Sequence, residues 1–346
     1  MKFSLFVHME RLDIKQHQKQ LYDEYLQLCK LADASGFSTI WTGEHHGMNF
    51  TIAPNPLLNL VDISNHTQNV RLGTSTLVAP FWHPIKLAGE VAMADIIMDG
   101  RLEIGIARGA YSYEYDRIGE GVNAWDAGGK LREMIPAIKG LWKGDYAHQG
   151  KYWSFPETTC SPKPLQNPHP PLWLAVRDPD SFKFALNNGC NIQVTPLWLG
   201  DEEVQLLMDR FTEVCKENPT VARPKIMVLR HTFVGENESQ IEQASKDLSS
   251  FYCHFGAWFK NERPVSQGII EPLSEQEMSK IEMYSPENMR RNNIVGTPEE
   301  VIKRIKSYEQ MGYDEYSYWI DNSMSYEEKR RSLKLFIDAV MPAFTE

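Results

Sequence analysis

Short apolar runs alternate with longer amphipathic segments along almost the whole chain. In the first amphipathic segment, Leu21, Tyr25 and Leu28 keep the spacing of one helix face, and Gly36 stops the helix. The apolar runs have the length of β-strands and lie near residues 2–8, 37–43, 70–77, 101–107, 172–177, 191–195, 225–234 and 314–320. Helical spacing predicts helices near residues 16–35, 56–67, 84–98, 124–143, 179–188, 201–217, 236–250, 298–311 and 325–341.

This alternation predicts an α/β fold with parallel strands, because a right-handed crossover helix separates each strand from the next. A count of eight strands favours a closed (β/α)8 TIM barrel over an open sheet. No GxGxxG motif follows the first strand, which argues against a dinucleotide-binding fold. We therefore predict a single TIM-barrel domain that spans residues 1–346.

Two stretches interrupt the alternation and are predicted to be insertions in the barrel. Residues 144–171, after the fourth helix, are rich in proline, glycine and aromatic residues. Residues 251–296 come after the seventh strand and its helix; they begin with an aromatic cluster and end in a polar segment. Because loops after barrel strands open on the catalytic face, the second insertion predicts a mobile lid. The alternative is a helical hairpin packed on the rim.

Composition limits the partners and the compartment. The 346 residues carry a net charge of −10, which disfavours nucleic acid and anionic membranes as partners. The five cysteines form no CxxC motif and indicate reduced thiols in a cytoplasmic protein. The opening apolar run reads as a first strand rather than a signal peptide, and no run of 18 apolar residues predicts a membrane span.

The densest titratable cluster is Glu44-His45-His46, directly after the second strand. In a TIM barrel this is the end that carries the active site. His45 and His46 are adjacent and point to opposite faces, which disfavours a metal site. No GxSxG motif indicates a serine hydrolase. Two interpretations remain: acid–base or substrate-orienting chemistry by a histidine, or a buried polar network that closes the barrel top.

The exit of the fifth strand is a candidate anion site. Asp178 or Ser181 can cap the helix that follows, leaving backbone N–H groups at its positive end. Arg108 or Arg177 could complete a phosphate site there. Asp178 and Asp180 place negative charge beside it, so simple helix capping is the equal alternative.

Several aromatic residues lie at or beyond predicted strand ends: Trp82, Tyr111, Trp198 and Trp319. They could line a cavity for a planar ring, although aromatic residues at strand ends are often ordinary core packing. As a cavity lining, they indicate a small apolar organic substrate, such as an aldehyde, a ketone or an alkane-type compound.

The ordered set of motifs resembles one family over nearly the full length. The motifs are Glu44–His46, Val70–Thr74, His83–Pro84, Gly100–Gly109 and Val295–Glu300, each at its expected place between strand and helix. Together they resemble the bacterial luciferase-like flavin-dependent monooxygenases, and the chain is particularly similar to alkanal monooxygenase α chains.

The resemblance implies a monooxygenase that uses reduced FMN (FMNH2) and O2 and acts through a C4a-peroxyflavin on a small organic substrate. A separate flavin reductase would supply the FMNH2, because no nicotinamide fingerprint is present. The resemblance also implies a homodimer, or a heterodimer with a related subunit, formed through helices near strands 2 and 3.

The same resemblance assigns roles to individual positions. His45 corresponds to the catalytic histidine of the family, with Glu44 tuning its protonation, and His83 corresponds to another histidine typical of the family. Ser75 and Thr76 fall where the family carries a non-proline cis peptide beneath the flavin ring. Beyond those two, the residues implied to bind the cofactor are Ala107, Arg108, Val176, Arg177 and Ser181.

Two positions depart from the luciferase pattern. Ala107 stands where luciferase has a reactive cysteine, and Arg177-Asp178-Pro179 replaces an acidic residue followed by serine. These departures concern light emission and the contacts of the phosphate. Two rival functions share the barrel: a reductase or dehydrogenase that uses the deazaflavin F420, and a flavin-binding homologue without turnover. Preferential binding of FMNH2 over oxidised FMN and F420 would separate the three.

Overall fold

Eight parallel strands form a closed barrel in the computed structural model, which describes residues 1–344. Each strand pairs with the next, and the eighth pairs with the first, so the sheet has no open edge. The strands are β1 (Lys2–Val7), β2 (Thr39–Thr42), β3 (Arg71–Thr74), β4 (Leu102–Ala107), β5 (Leu172–Ala175), β6 (Asn191–Val194), β7 (Ile226–Val234) and β8 (Glu315–Trp319). The prediction of a (β/α)8 barrel is confirmed.

Helices surround the barrel. They span Gln18–Ala34, Pro56–Ser64, Pro84–Ile97, Ser112–Arg117, Ala124–Lys143, Pro179–Asn187, Asp201–Glu217, Glu238–Lys260, Glu275–Met278, Pro286–Asn292, Pro298–Met311 and Tyr326–Leu335. A capping box opens the helix Pro298–Met311: the Glu300 amide donates to the Thr297 hydroxyl at 3.4 Å, and the Thr297 amide donates to the Glu300 carboxylate at 2.9 Å. Within residues 1–344, no helix is long and apolar enough to cross a membrane.

Side chains alternate between two hydrophobic clusters. Leu5 and Val7 of β1 pack outward against the helices, whereas Phe6 belongs to an inner cluster that fills the barrel towards its carboxyl end. This inner cluster continues upward into the helix Glu238–Lys260 through Phe251 and Phe255. The helix therefore covers part of the mouth of the barrel.

The predicted third strand, 70–77, is interrupted. β3 ends at Thr74, and a separate two-residue strand, Leu77–Val78, pairs instead with the end of β4. The peptide bond between Ser75 and Thr76, which joins the two pieces, is cis. The cis peptide that the family resemblance implied is thus confirmed.

The stretch 144–171 contains a two-stranded antiparallel hairpin, Tyr146–Gln149 with Ser154–Thr158. Two X-Pro bonds in the same stretch are cis, Ser161-Pro162 and Asn167-Pro168. The hairpin packs against the helix Ala124–Lys143, where Glu133 accepts from the backbone amides of residues 151–153.

The predicted helix 236–250 ends ten residues too early, because the observed helix continues to Lys260. The apolar face set by Ile241 and Leu248 persists through Phe255, and Asn261, in the left-handed conformation, ends it. A small antiparallel hairpin follows, Val265–Ser266 with Ile269–Ile270. Farther on, Ile294–Gly296 pairs in parallel with the end of β7.

Candidate functional site

The carboxyl ends of β1 and β2 lie in close contact. His8 follows β1, and Gly43 follows β2; a side chain at Gly43 would lie 3.3 Å from the His8 ring and 3.3 Å from the carbonyl oxygen of Ser75. Glycine therefore allows the two strand ends and the cis peptide to approach one another.

Glu44 is a buried acceptor that holds the segment after the cis peptide. Its carboxylate accepts from the backbone amide of Val78 at 2.7 Å and from the Trp82 indole at 2.9 Å. One oxygen also lies 2.6 Å from Nε2 of His46. The polar network considered from the sequence is thus present, and Glu44 fixes the wall beside the site.

His45 turns the other way, towards a second buried carboxylate. Its Nδ1 lies 2.9 Å from Oε2 of Glu114, whose other oxygen accepts from the His46 backbone amide at 2.7 Å. The His45 side chain is 15% exposed, whereas Glu114 is 1% exposed. Glu114 therefore orients a histidine whose other ring edge can face a ligand.

The two adjacent histidines differ electrostatically as well as in direction. Burial works against the charged form of His46, but the hydrogen bond and charge of Glu44, with the charge of Glu114, outweigh it and raise the pKa of His46. In contrast, burial, together with the charges of His45 and His231, holds the pKa of His8 well below its usual range. The site therefore contains one histidine that favours a proton and one that is neutral.

Aromatic rings fill the side of the mouth formed by β1, β7 and β8. His231, on β7, stacks on Trp319 of β8 with ring centres 3.8 Å apart. The His8 ring lies 5.6 Å from Trp319 and 5.2 Å from His45. Tyr111 completes this wall beside His45 at 5.3 Å. We call His8, Tyr111, His231, Tyr252 and Trp319 the aromatic wall.

The opposite side of the mouth, above β3, β4 and β5, carries small side chains. Ser75, Thr76 and Ala107 are half-buried, and Ala175, the last residue of β5, is exposed. Small residues at three neighbouring strand ends leave room for a flat group above them. We call these four residues the open face.

The predicted phosphate-binding residues lie near the outer edge of the open face, and internal contacts occupy some of them. Asp178 and Ser181 form a reciprocal capping box at the start of the helix Pro179–Asn187. Arg177 pairs with Glu203 at 3.0 Å. Arg108 is exposed and donates to the carbonyl of Ala124 at 3.3 Å. The helix capping considered from the sequence is therefore present at this helix end.

Val176 and His83 have structural contacts. The Val176 amide donates to the Gln193 carbonyl at 3.1 Å, which extends the β5–β6 pairing by one residue. His83 caps the helix Pro84–Ile97 by accepting from the Ile85 amide at 3.3 Å, and its ring lies 5.8 Å from Phe155 in the hairpin. The geometry adds no support to a catalytic role for His83. Among the residues described, no group of histidine, cysteine and acidic side chains has the arrangement of a metal site.

Sequence reasoning missed Glu114 and His231 as members of the site. Glu114 belongs to the six-residue helix Ser112–Arg117, which is too short to show a periodic pattern. Its position after the end of β4 was the signal that could have found it, because the loops after barrel strands build the active site. His231 lies within a strand that is buried throughout, so it resembled a core position.

A parallel barrel with a histidine–carboxylate cluster and an aromatic wall at its carboxyl end is an enzyme architecture. The sequence profile of the luciferase-like monooxygenase family matches residues 1–315. The chain belongs to this family.

Relatives of known name span almost the whole chain. The chain is 61% identical over 346 residues to the oxygenase component of a flavin-dependent trigonelline monooxygenase from Acinetobacter baylyi, covering all of this chain and 96% of that protein. It is 23% identical to the alkanal monooxygenase α chain of the Kryptophanaron alfredi symbiont, covering 95% of this chain and 94% of the other. The similarity to alkanal monooxygenase α chains is therefore confirmed.

Solved structures share the fold. A monooxygenase from Streptomyces bottropensis superposes with a TM-score of 0.83 at 24% identity, covering all of both chains. The oxygenating constituent of 3,6-diketocamphane monooxygenase from Pseudomonas putida, solved in complex with FMN, superposes with a TM-score of 0.76 at 20% identity, covering 99% of this chain and 98% of that one.

Proposed function

We propose that this chain is the oxygenase component of a two-component, FMN-dependent monooxygenase, and that a separate reductase supplies FMNH2. The observation that carries the proposal is the placement of His45. A buried carboxylate, Glu114, fixes this histidine next to the aromatic wall, and the cis peptide follows the neighbouring strand β3. The 61% identity to an oxygenase component supports the two-component arrangement.

The residues present fit FMN. Ser75, Thr76 and Ala107 would lie against the flavin ring, since their small side chains leave the face above them open. Arg108 would bind the phosphate, assisted by the amino end of the helix Pro179–Asn187. Val176, Arg177 and Ser181 remain proposed members of this subsite. Bound FMNH2 would supply the O2-activating chemistry, through a C4a-peroxyflavin.

The chain's own residues would protect and control that chemistry. The aromatic wall excludes water from one side of the site. His45, held by Glu114, would hold a proton at its free ring nitrogen. We further propose that the segment 251–296, within a single domain of residues 1–346, acts as a lid. Its hairpin contacts the loop that carries His45, because the Asn49 amide donates to the Gly268 carbonyl at 2.7 Å.

For the substrate we propose trigonelline, the N-methyl betaine of pyridine-3-carboxylate. The 61% identity to a trigonelline monooxygenase component supports it. The aromatic wall also suits a flat cation, because aromatic faces attract cations. The aldehyde, ketone or alkane-type substrate expected from the sequence would contact the same wall, but it carries no positive charge for the aromatic faces to attract.

We propose that the protein is a cytoplasmic dimer. All five cysteines lack a disulfide partner among residues 1–344, in keeping with a reducing compartment. Apolar side chains stand exposed on the neighbouring helices Pro56–Ser64 and Pro84–Ile97: Leu58 is 70% exposed, and Met93 is 52% exposed. Such a patch is typical of a surface that another protein covers.

Stopped-flow spectroscopy tests the proposal. The protein is premixed anaerobically with FMNH2 and then mixed with oxygenated buffer, with and without trigonelline. We expect a long-lived oxygenated flavin spectrum whose decay trigonelline accelerates. Immediate reoxidation of FMNH2, combined with tight binding of F420 in a parallel titration, would reject the monooxygenase in favour of hydride transfer. A long-lived spectrum that trigonelline does not affect would reject only the substrate.

A further inference from the structure

Besides His8, whose Nδ1 is also unpaired, three side chains of the aromatic wall carry buried polar atoms that have no hydrogen-bond partner within residues 1–344. The atoms are Nε2 of His231, Oη of Tyr252 and Nε1 of Trp319. All three residues are at most 4% exposed. Buried polar groups are almost always paired in folded proteins, so three unpaired atoms in one cluster indicate an absent ligand.

The three side chains are close neighbours. The His231 ring is stacked on Trp319 at 3.8 Å, and its centre lies 5.6 Å from that of Tyr252. They come from β7, β8 and the helix Glu238–Lys260, so they converge from three separate elements. The cluster adjoins the reactive side of the site through His8, which contacts both Trp319 and His45.

The hydrogen-bonding character of each atom follows from its surroundings. Nδ1 of His231 lies 3.0 Å from the carbonyl oxygen of Asp321, which can only accept, so Nδ1 carries the proton and Nε2 presents a lone pair. Burial lowers the pKa of His231 to about 3, so the ring is neutral at pH 7. Trp319 can only donate, and burial raises the pKa of Tyr252, which keeps its hydroxyl protonated.

A positive potential also reaches the cluster from behind. Arg230, the neighbour of His231 on β7, is buried and donates to the carbonyl of Asn292. Its charge disfavours protonation of His231 and favours ionisation of Tyr252. This potential favours an anionic group against the Trp319 and Tyr252 donors, without requiring a direct ion pair.

We propose that Trp319, Tyr252 and His231 bind the substrate, and that they select an N-methylpyridinium carboxylate by its two ends. Trp319 and Tyr252 donate hydrogen bonds to the carboxylate. The lone pair of His231 and the neighbouring ring faces lie against the cationic ring. This inference rests on the proposed function, and it places the substrate on the aromatic wall and the flavin on the open face.

The test compares Trp319→Phe, Tyr252→Phe and His231→Phe with the wild type. Isothermal titration calorimetry with the FMN-loaded protein measures binding of trigonelline and of N-methylpyridinium, which lacks the carboxylate. We expect Trp319→Phe and Tyr252→Phe each to weaken trigonelline binding about tenfold, the effect of one hydrogen bond to a charged group. Binding of N-methylpyridinium should change little in these two variants. His231→Phe should weaken the binding of both compounds.

The matched control is Tyr284→Phe. Its ring stacks on Tyr252 at 5.1 Å, but its hydroxyl is not one of the buried unpaired atoms. This variant should bind trigonelline like the wild type, and the dissociation constant for FMNH2 should be unchanged in all four variants. Melting temperatures, measured in parallel, show whether each variant folds.

The outcomes separate this inference from the proposed function. Suppose that the wild type binds trigonelline and that the Trp319→Phe and Tyr252→Phe variants bind it as tightly as the wild type does. This placement of the carboxylate is then wrong, while the proposed substrate stands. If those two variants weaken FMNH2 binding instead, the cluster belongs to the flavin site and the inference is overturned. If the wild type itself does not bind trigonelline, the proposed substrate and this inference fall together, and the FMN-dependent activity is judged by stopped flow alone.

Discussion

The position of His45 depends on one carboxylate from another loop, Glu114, which contacts both the His45 ring and the next backbone amide. A histidine held in this way keeps one ring nitrogen in a fixed tautomer and presents the other to a ligand. Glu44, in contrast, bonds to the wall behind the site through Val78 and Trp82. The two carboxylates therefore have separate structural roles, although only Glu44 stands beside the histidines in the sequence.

Replacing His45 with alanine should uncouple oxygen consumption from product formation. Without a proton held near the flavin, more of the oxygenated flavin should decay to hydrogen peroxide, and product yield per FMNH2 should fall by roughly tenfold or more. Glu114→Gln should give a smaller loss in the same direction, because glutamine can still accept from the His46 amide. Peroxide and product are quantified in single turnovers. Glu213→Gln, at a surface carboxylate 3.6 Å from Lys216 on the helix Asp201–Glu217, is the control; unchanged coupling in His45→Ala removes His45 from the mechanism.

The buried neutral histidine His231 should make the fold sensitive to acid. Its folded-state pKa of about 3 lies below the ordinary 6.5, so between these values the unfolded chain binds more protons than the folded one. Stability is then fully present above about pH 6.5 and falls as the pH drops towards 3, by at most about 1.4 kcal/mol per unit. His231→Phe should flatten the decline of melting temperature between pH 7 and 5. His66→Phe, an exposed substitution, should keep the wild-type slope, and equal slopes in all three proteins would contradict the argument.

All eight barrel strands were predictable because each is an apolar run bounded by polar residues or glycine. The break in the third strand was not visible as a pattern: Ser75 and Thr76 are compatible with a strand, and only the family resemblance indicated the cis peptide. The early end assigned to the helix Glu238–Lys260 had a different cause. Its last turns are aromatic and fall within the segment predicted to be an insertion, although they continue the buried face of the helix.

The site was predictable only where chemistry and strand position coincide in the sequence. Glu44 and His45 met that condition. Glu114 did not, because the fold brings it to His45 from 69 residues away in a helix of six residues. His231 is separated by 90 residues from Asp321, whose carbonyl fixes its tautomer. Contacts of this kind depend on barrel closure, which no local pattern encodes.

The hairpin Val265–Ile270 should control access to the site. Besides the bond to the Gly268 carbonyl, the Asn49 side chain donates to the carbonyl of Gln267, so the hairpin is attached to the loop after β2. Asn49→Ala removes this side-chain bond and a 3.3 Å bond from the Arg11 guanidinium, but keeps the backbone bond to the hairpin. It should shorten the lifetime of the oxygenated flavin severalfold by admitting water. Stopped-flow decay without substrate measures this lifetime. Asn218→Ala, which removes a side-chain bond to the Val214 carbonyl at the end of the helix Asp201–Glu217, is the control; an unchanged lifetime in Asn49→Ala would mean that the hairpin does not act as a lid.

The molecule has a catalytic end at the mouth of the barrel and a surrounding layer of helices. The surface of this helical layer is not uniform. Most outer helices present charged residues to solvent, whereas the helices after β2 and β3 expose Leu58, Met93, Ile96 and Ile97. These helices begin in the segments that carry His45 and the cis peptide. A partner on this face would therefore support the two strands whose ends hold the catalytic histidine and the open face.

Disrupting this face should separate the proposed dimer. Met93→Lys combined with Ile97→Lys places two charges within an apolar contact, where each would lose its hydration without gaining a partner. Size-exclusion chromatography with light scattering should report a dimer for the wild type and a monomer for the double variant. Leu206→Lys, at a residue 42% exposed on the helix Asp201–Glu217, is the control and should remain dimeric. A wild-type monomer, or a double variant that stays dimeric, would show that this face is not the interface. If the monomer forms but binds FMNH2 more weakly, the dimer supports the ends of β2 and β3, since the substituted side chains lie outside the site.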